Sequence, residues 1–236
     1  MSTVAIIPAR GGSQRIARKN LKVFNGQPMI VWSIRAALAS GVFDRVMVST
    51  DDPEIAAIAL AHGADVPFVR PAELADAFTG TLAVMQHAIT ALADQGLVFD
   101  YVCCIYATAP LLQRRNLCQG LEMLQSSPEK SYAFPVCSFG FPVQRALLID
   151  PQGGLAPMYA QYRDTRSQDL PAAWQDAGQF YWGRRDAWLR GDVVFSNLSL
   201  PIILPRHLVQ DIDTEEDWRR AEFLYAALKA GGELDP

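Results

Sequence analysis

Four cations, Arg10, Arg15, Arg18 and Lys19, crowd the turn Pro8-Ala9-Arg10-Gly11-Gly12-Ser13, and Asn20 closes the cluster. Adjacent glycines can take φ > 0 and leave backbone N–H groups unobstructed, while clustered cations match the charge of a polyphosphate. The stretch therefore reads as a phosphate-handling loop. A plain βα turn with incidental surface cations would account for the glycines alone; the density of positive charge just past the first apolar run favours the loop. A second constellation, Asp211-Ile212-Asp213-Thr214-Glu215-Glu216-Asp217, stands near the other end of the chain. Two residues apart in an extended segment, the carboxylates of Asp211 and Asp213 point the same way and can share a hard cation through oxygen. Thr214 with Asp217 also reads as the N-cap of an amphipathic helix, which explains that pair but not the D-x-D before it. Together, a polyphosphate loop and a magnesium-type carboxylate pair imply attack at phosphorus on a nucleotide. The metal would neutralise phosphate oxygens and fixed cations would hold the charge of the leaving group.

Two better-known nucleotide sites do not fit. A dinucleotide fold wants G-x-G-x-x-G after its first strand, and Gly11-Gly12-Ser13-Gln14 lacks that spacing. Ser49-Thr50-Asp51-Asp52 does supply carboxylates after a strand, but these equally suit the cap of a helix starting at Pro53. G-x-x-x-x-G-K-[ST] does not occur.

Positioning both constellations requires a frame, and the hydrophobic pattern supplies one. Strand-length apolar runs at 4–7, 45–49, 65–69, 101–106, 132–136, 178–181 and 202–204 alternate with helix-period segments at 28–40, 53–62, 81–95, 114–126, 184–189 and 215–230. This alternation predicts an α/β fold with a mostly parallel sheet flanked by helices, doubly wound in its first half. From 144 to 174 the pattern weakens into turn residues and polar positions mixed with aromatics. A stretch of that length is expected to be an inserted arm that packs on a partner subunit or closes over a ligand, within a single domain spanning 1–236.

With 50% hydrophobic residues the chain can bury a full core, and 21 basic against 25 acidic residues give a net charge of −4. No global charge favours nucleic acid or an anionic membrane, so anion binding must be local. No apolar run approaches the roughly 18 to 20 residues of a membrane span, and the N-terminus enters a strand without a basic leader, which predicts a cytoplasmic enzyme or binding protein. Cys103, Cys104, Cys118 and Cys137 lack zinc spacing and read as core thiols. His62, His87 and His207 are scattered and read as helix-end or surface residues; Arg184-Arg185 reads as a surface pair at a helix start, and Phe180-Tyr181-Trp182 mostly as core.

Ile6-Ile7-Pro8-Ala9-Arg10-Gly11-Gly12-Ser13 followed by Lys19-Asn20 resembles the opening signature of the acylneuraminate cytidylyltransferases, which make CMP-sialic acids from CTP. The resemblance continues in order through Ser49-Thr50-Asp51-Asp52, Arg70-Pro71-Ala72-Glu73-Leu74-Ala75, Thr79-Gly80-Thr81 and Asp211-Ile212-Asp213-Thr214. Cys104-Ile105-Tyr106-Ala107-Thr108-Ala109-Pro110, Arg166-Ser167-Gln168-Asp169-Leu170-Pro171 and Asp176-Ala177-Gly178-Gln179-Phe180-Tyr181 are similar to the family's pseudaminic acid branch. The resemblance implies a GT-A-like nucleotide-binding fold, a homodimer exchanging the protruding arm, dependence on Mg²⁺, and CTP and a nine-carbon α-keto acid sugar as substrates. It implies that the loop Ala9 to Ser13 with Arg10, Arg15 and Lys19 holds the triphosphate, and that Asn20 contacts ribose or phosphates. Arg70, Thr79 and Thr81 match positions that contact CTP, Asp211 and Asp213 match metal-binding aspartates, and Tyr106, Arg166, Gln168, Gln179 and Tyr181 match the sugar-facing region. Arg10, Lys19 and Asp211 are the expected catalytic residues. Departures bear on the sugar: Gln14 replaces a common lysine, Tyr106-Ala107-Thr108-Ala109-Pro110 replaces the Gln-Pro-Thr-Ser-Pro of sialic acid enzymes, and Ser167 separates Arg166 from Gln168. They suit a sugar other than N-acetylneuraminate. Enzymes for sialic, legionaminic or 3-deoxy-manno-octulosonic acid, and a non-catalytic nucleotide-binding protein, are the rival expectations.

Overall fold

The computed structural model describes residues 1–235. β1 (Thr3–Pro8) leads through the cationic loop and a short hairpin, β2 (Val23–Phe24) with β3 (Gln27–Pro28), into α1 (Met29–Ser40). There follow β4 (Arg45–Ser49), α2 (Pro53–Ala61), α3 (Thr81–Ala93), β5 (Tyr101–Ile105), α4 (Arg114–Gln125) and β6 (Tyr132–Ser138). The insertion holds β7 (Leu147–Ile149) and β8 (Leu155–Pro157), and the chain ends with β9 (Trp174–Asp176), β10 (Phe180–Arg184), α5 (Arg185–Arg190), β11 (Ser199–Ile203) and α6 (Glu215–Gly231).

The main sheet runs β11-β6-β10-β5-β1-β4, with β9 also beside β6. β1 is parallel to β4 and β5, and β6 to β11, whereas β10 is antiparallel to both β5 and β6. The α/β class and a helix-flanked parallel core are as expected, but the sheet as a whole is mixed, because β10 and β9 run antiparallel to their neighbours. Strands such as Val4-Ala5-Ile6-Ile7 are apolar without alternation because both faces of the sheet are covered. Ala5, Ile7, Val46 and Val48 face the core shared with α1, α2 and α4, while Val4, Ile6 and Met47 face the core under α3 and α5. A third cluster packs α6 against the loop after β1: Ile16, Phe24, Met29, Leu208, Ile212 and Trp218 are buried together. Ile16 and Ile212 thereby dock the cationic loop against the D-x-D segment.

Two expected strands are corrected. Residues 65–69 touch β4 through only two parallel bridges, Met47 with Asp65 and Thr50 with Val69. Pro67 lies between them and has no N–H for a ladder. The strand expected at 178–181 instead starts at Phe180, because Gly178 adopts φ +62 and breaks the line of β9 and β10 along β6. The insertion at 144–174 forms the small antiparallel hairpin β7–β8 followed by single 3₁₀ turns. Leu147, Leu148, Ile149 and Leu155 are all exposed on this hairpin.

Candidate active site

The loop after β1 opens onto a cavity of about 400 Å³ lined by Arg10, Ser13, Gln14, Arg15, Lys19 and Asn20 from the loop, with Arg70, Thr79, Thr81 and Tyr106 opposite. Nine of the residues singled out in the sequence therefore share one wall or another of this space. Beside it lies a second cleft of about 750 Å³ lined by Asp211, Asp213, Asp176, Arg206, His207 and Arg220. The clefts meet where Lys19 Nζ donates to the Ile212 carbonyl at 2.6 Å and lies 3.5 Å from Asp213. Arg15 forms an ion pair with Asp213 at 2.7 Å. Both constellations thus belong to one site.

The loop does not work as the glycine argument anticipates. Neither Gly11 nor Gly12 has positive φ; in this region the left-handed residues are Arg18, Asn25 and Gly26. The Gly11 N–H donates to Asp51 Oδ1 at 3.0 Å, the Ala9 N–H donates to the Ser49 carbonyl at 2.9 Å, and Ala9 is buried. Ala9, Gly11 and Gly12 accordingly do not line the cavity, whose loop wall carries the cationic side chains of Arg10, Arg15 and Lys19. Gly11 is needed for another reason: a Cβ at this position would meet Asp52 Oδ2 at 2.6 Å. That carboxylate caps α2 by accepting from the N–H groups of Glu54 and Ile55, which is the capping alternative weighed for this segment.

Arg10 donates to the Asp76 carbonyl at 2.6 Å, and the Asn20 amide donates to the Arg10 carbonyl at 3.0 Å. Arg70 is 4% exposed, bonded to the carbonyl of Ser49 and, at 3.1 Å, to its hydroxyl. Burial lowers its pKa, with Asp51 opposing. Among the described residues no carboxylate lies within ion-pair distance of it, and it is one of the residues lining the cavity. Thr79 donates to the Glu73 carbonyl at 3.2 Å, and the Thr81 hydroxyl lies 3.4 Å from the Tyr106 phenol.

On the acidic side, Thr214 and Asp217 form a capping box that starts α6. Asp211 lines its cleft with part of its surface reached by solvent and its carboxyl packed on the other side. Packing around its carboxyl, and then the neighbouring Asp213, raise its pKa, with Lys19 opposing and Asp176 adding to the repulsion. Among the described residues no group of three or more His, Cys, Asp or Glu side chains forms a cage for a metal ion. Two crowded carboxylates do suit Mg²⁺, which keeps several waters and takes one or two carboxylates together with substrate phosphates.

The sugar-facing expectations are partly overturned within a single chain. Tyr106 lines the cavity, but Gln179, Tyr181, Arg166 and Gln168 line neither cleft. Gln179 is 2% exposed, and its amide donates to the Leu208 carbonyl at 2.8 Å. Tyr181 is buried between Tyr106 and Phe134, its phenol bonded to Asp176. Both side chains are buried because β10 is covered on both faces: Phe180 and Trp182, of the opposite phase, are just as buried. Arg166 and Gln168 sit on the exposed insertion, where Arg166 pairs with Asp169 at 2.7 Å. Asp176 was not singled out for a role, although it opens one of the motifs read in the sequence. Arg184 differs too: its guanidinium ties together the Leu124 and Lys130 carbonyls at 2.8 Å. The cysteines are free; Cys103, Cys104 and Cys137 are core thiols as expected, whereas Cys118 on α4 is only half-buried.

Residues 4–144 match the family described as Cytidylyltransferase. The chain is 45% identical over 225 residues to a pseudaminic acid cytidylyltransferase of Campylobacter jejuni, covering 95% of this chain and 97% of that protein. It is 27% identical over 226 residues to the CMP-N,N'-diacetyllegionaminic acid synthase of Legionella pneumophila, covering 95% and 96% of the two chains. Among solved structures, CMP:2-keto-3-deoxy-manno-octonic acid synthetase complexed with CTP superposes with a TM-score of 0.70 at 17% identity, covering 96% of this chain and 99% of that one.

Proposed function

The chain belongs to the cytidylyltransferase family, and from that membership we propose that it joins CTP to a nonulosonic acid, pseudaminic acid, releasing pyrophosphate. The anomeric hydroxyl attacks the α-phosphorus of CTP, forming the new P–O bond as the bond to pyrophosphate breaks. Arg10, Lys19, Arg15 and Arg70 converge on one cavity, where they hold the triphosphate and stabilise the charge gathering on pyrophosphate. Thr79, Thr81 and Tyr106 face the nucleotide from the opposite wall, and Asn20 keeps the loop in place through the Arg10 carbonyl. Asp211 and Asp213 would hold Mg²⁺, which supplies neutralisation of phosphate oxygens. The observation that carries the reading is the junction of the two halves, where Lys19 reaches the Ile212 carbonyl and Asp213 from the loop after β1.

We further place a homodimer contact on the insertion. Leu147, Leu148 and Ile149 stay exposed on both faces of β7 although it pairs with β8, so no layer of its own chain covers either face of the hairpin. Arg166 and Gln168, carried on the same insertion, would then reach the sugar only from a second copy. The reaction belongs in the cytoplasm, where CTP is at hand; among the described residues no helix is long and apolar enough to cross a membrane.

Pyrophosphate release from CTP, followed across pseudaminic, N-acetylneuraminic, legionaminic and 3-deoxy-manno-octulosonic acids, tests the reading. The expected kcat/KM with pseudaminic acid exceeds the others by about tenfold or more, a margin that buried polar groups left unpaired by the wrong stereoisomer readily supply. Equal or better turnover of another sugar would reassign the substrate.

A further inference from the structure

We propose that Asp176 is a positioning residue: its carboxylate clamps the Tyr181 phenol and so ties the acidic cleft to the nucleotide cavity. The inference rests on the cytidylyltransferase reading above. Asp176 closes β9 and lines the cleft that also holds Asp211 and Asp213. It accepts two hydrogen bonds from opposite sides of one bend, from the Tyr181 hydroxyl and, at 3.1 Å, from the Gly178 N–H. The bend so fixed lies directly against Asp211 of the acidic pair: a Cβ at Gly178 would lie 3.3 Å from the Asp211 Cγ.

Beyond the clamp, Tyr181 is 5% exposed and its ring lies 5.4 Å from that of Tyr106. Tyr106 lines the nucleotide cavity and places its hydroxyl 3.4 Å from Thr81. A continuous chain of contacts therefore runs Asp176, Tyr181, Tyr106, Thr81, from the cleft of the D-x-D pair to the cavity of the cationic loop. A buried phenol needs an acceptor, and Asp176 is the one the fold provides. Because the acceptor sits on β9 and the phenol on β10, the bond also spans the break between these two strands at Gly178. What Asp176 supplies in this arrangement is an oxygen at a fixed place rather than a charge at the reacting atoms.

The distinction sets the test. In Asp176→Ala the acceptor is lost, and kcat is expected to fall about tenfold while the KM for CTP moves less than about threefold, the pattern of an interaction that orients rather than binds. Asp176→Asn keeps one of the two oxygen acceptors, which can meet the Tyr181 hydroxyl while its NH2 is left against the Gly178 N–H, and is expected to recover kcat in part, to a rate clearly above that of Asp176→Ala. Tyr181→Phe is expected to resemble Asp176→Ala, and the double variant to be no slower than the slower single one, because the two groups act as one unit. A hydroxyl proton of Tyr181 in slow exchange, seen by NMR and identified by its loss in Tyr181→Phe, is expected to persist in Asp176→Asn and vanish in Asp176→Ala. Circular dichroism confirms that each variant is folded. The proposal is overturned if Asp176→Asn is as slow as Asp176→Ala, if the single effects multiply, or if Asp176→Ala leaves kcat within twofold. Should the wild-type enzyme turn over no nonulosonic acid, the substrate reading fails, and the NMR signal still decides whether the clamp exists.

Discussion

Gly178→Ala separates two effects that the structure places on one residue. The position has φ +62, where an L-residue costs about 1–2 kcal/mol relative to glycine. In a domain of this size each kcal/mol lowers Tm by about 2–4 °C, so the strain predicts a fall of about 2–8 °C. The added Cβ would also lie 3.3 Å from Asp211 Cγ and 3.4 Å from Asp211 Oδ1, closer than packing comfortably allows, so the carboxylate must give by a few tenths of an ångström. A displacement of about 1 Å at a reacting centre can cost about a hundredfold in rate, and this smaller one predicts a loss of about three- to tenfold in kcat. Gly26→Ala is the matched control: φ is +84, yet nothing lies within 4 Å of its Cβ, and the hairpin between β2 and β3 lines neither cleft. Thermal unfolding and initial rates of pyrophosphate release on both variants give the comparison. Both should lose stability, and only Gly178→Ala should lose kcat. Equal kcat in the two variants would refute the claim that this bend sets the Asp211 carboxylate.

Lys19→Met removes the cation that joins the two halves of the site; charge-assisted hydrogen bonds of about 1.5–3 kcal/mol predict CTP binding weaker by about tenfold to a hundredfold in calorimetry. Asp211→Asn is expected to abolish turnover yet to raise Tm in metal-free buffer at neutral pH, since packing and Asp213 hold the wild-type pKa above its ordinary value and make the ionised form unfavourable. The sign follows from linkage: as pH falls through that raised pKa the wild type protonates and regains the lost stability, so the melting curves should converge towards about pH 3. Ile149→Lys, on a side chain 75% exposed in the single chain, should leave the protomer folded while shifting sedimentation from dimer to monomer.

The alternation of apolar runs and helical periods, together with the order of its motifs, was sufficient to establish an α/β cytidylyltransferase fold with two separated charged segments. Those features are local, and burial on both faces of a sheet or the start of a helix at Thr214 leaves a direct imprint on residue type. Tertiary structure alone decided how the pieces act. Gly11 proved to be a close-approach residue for Asp52 rather than a left-handed turn, because what a missing Cβ avoids depends on which element packs across from it. Gln179 and Tyr181 are buried because the strand they enter lies inside the sheet with both faces covered, which their residue types do not announce. Pro67 reduced an apolar run to two bridges with β4. Above all, the meeting of Lys19 with Ile212 and Asp213 is not written in either segment: it arises because Ile16 and Ile212, far apart in sequence, share one buried cluster.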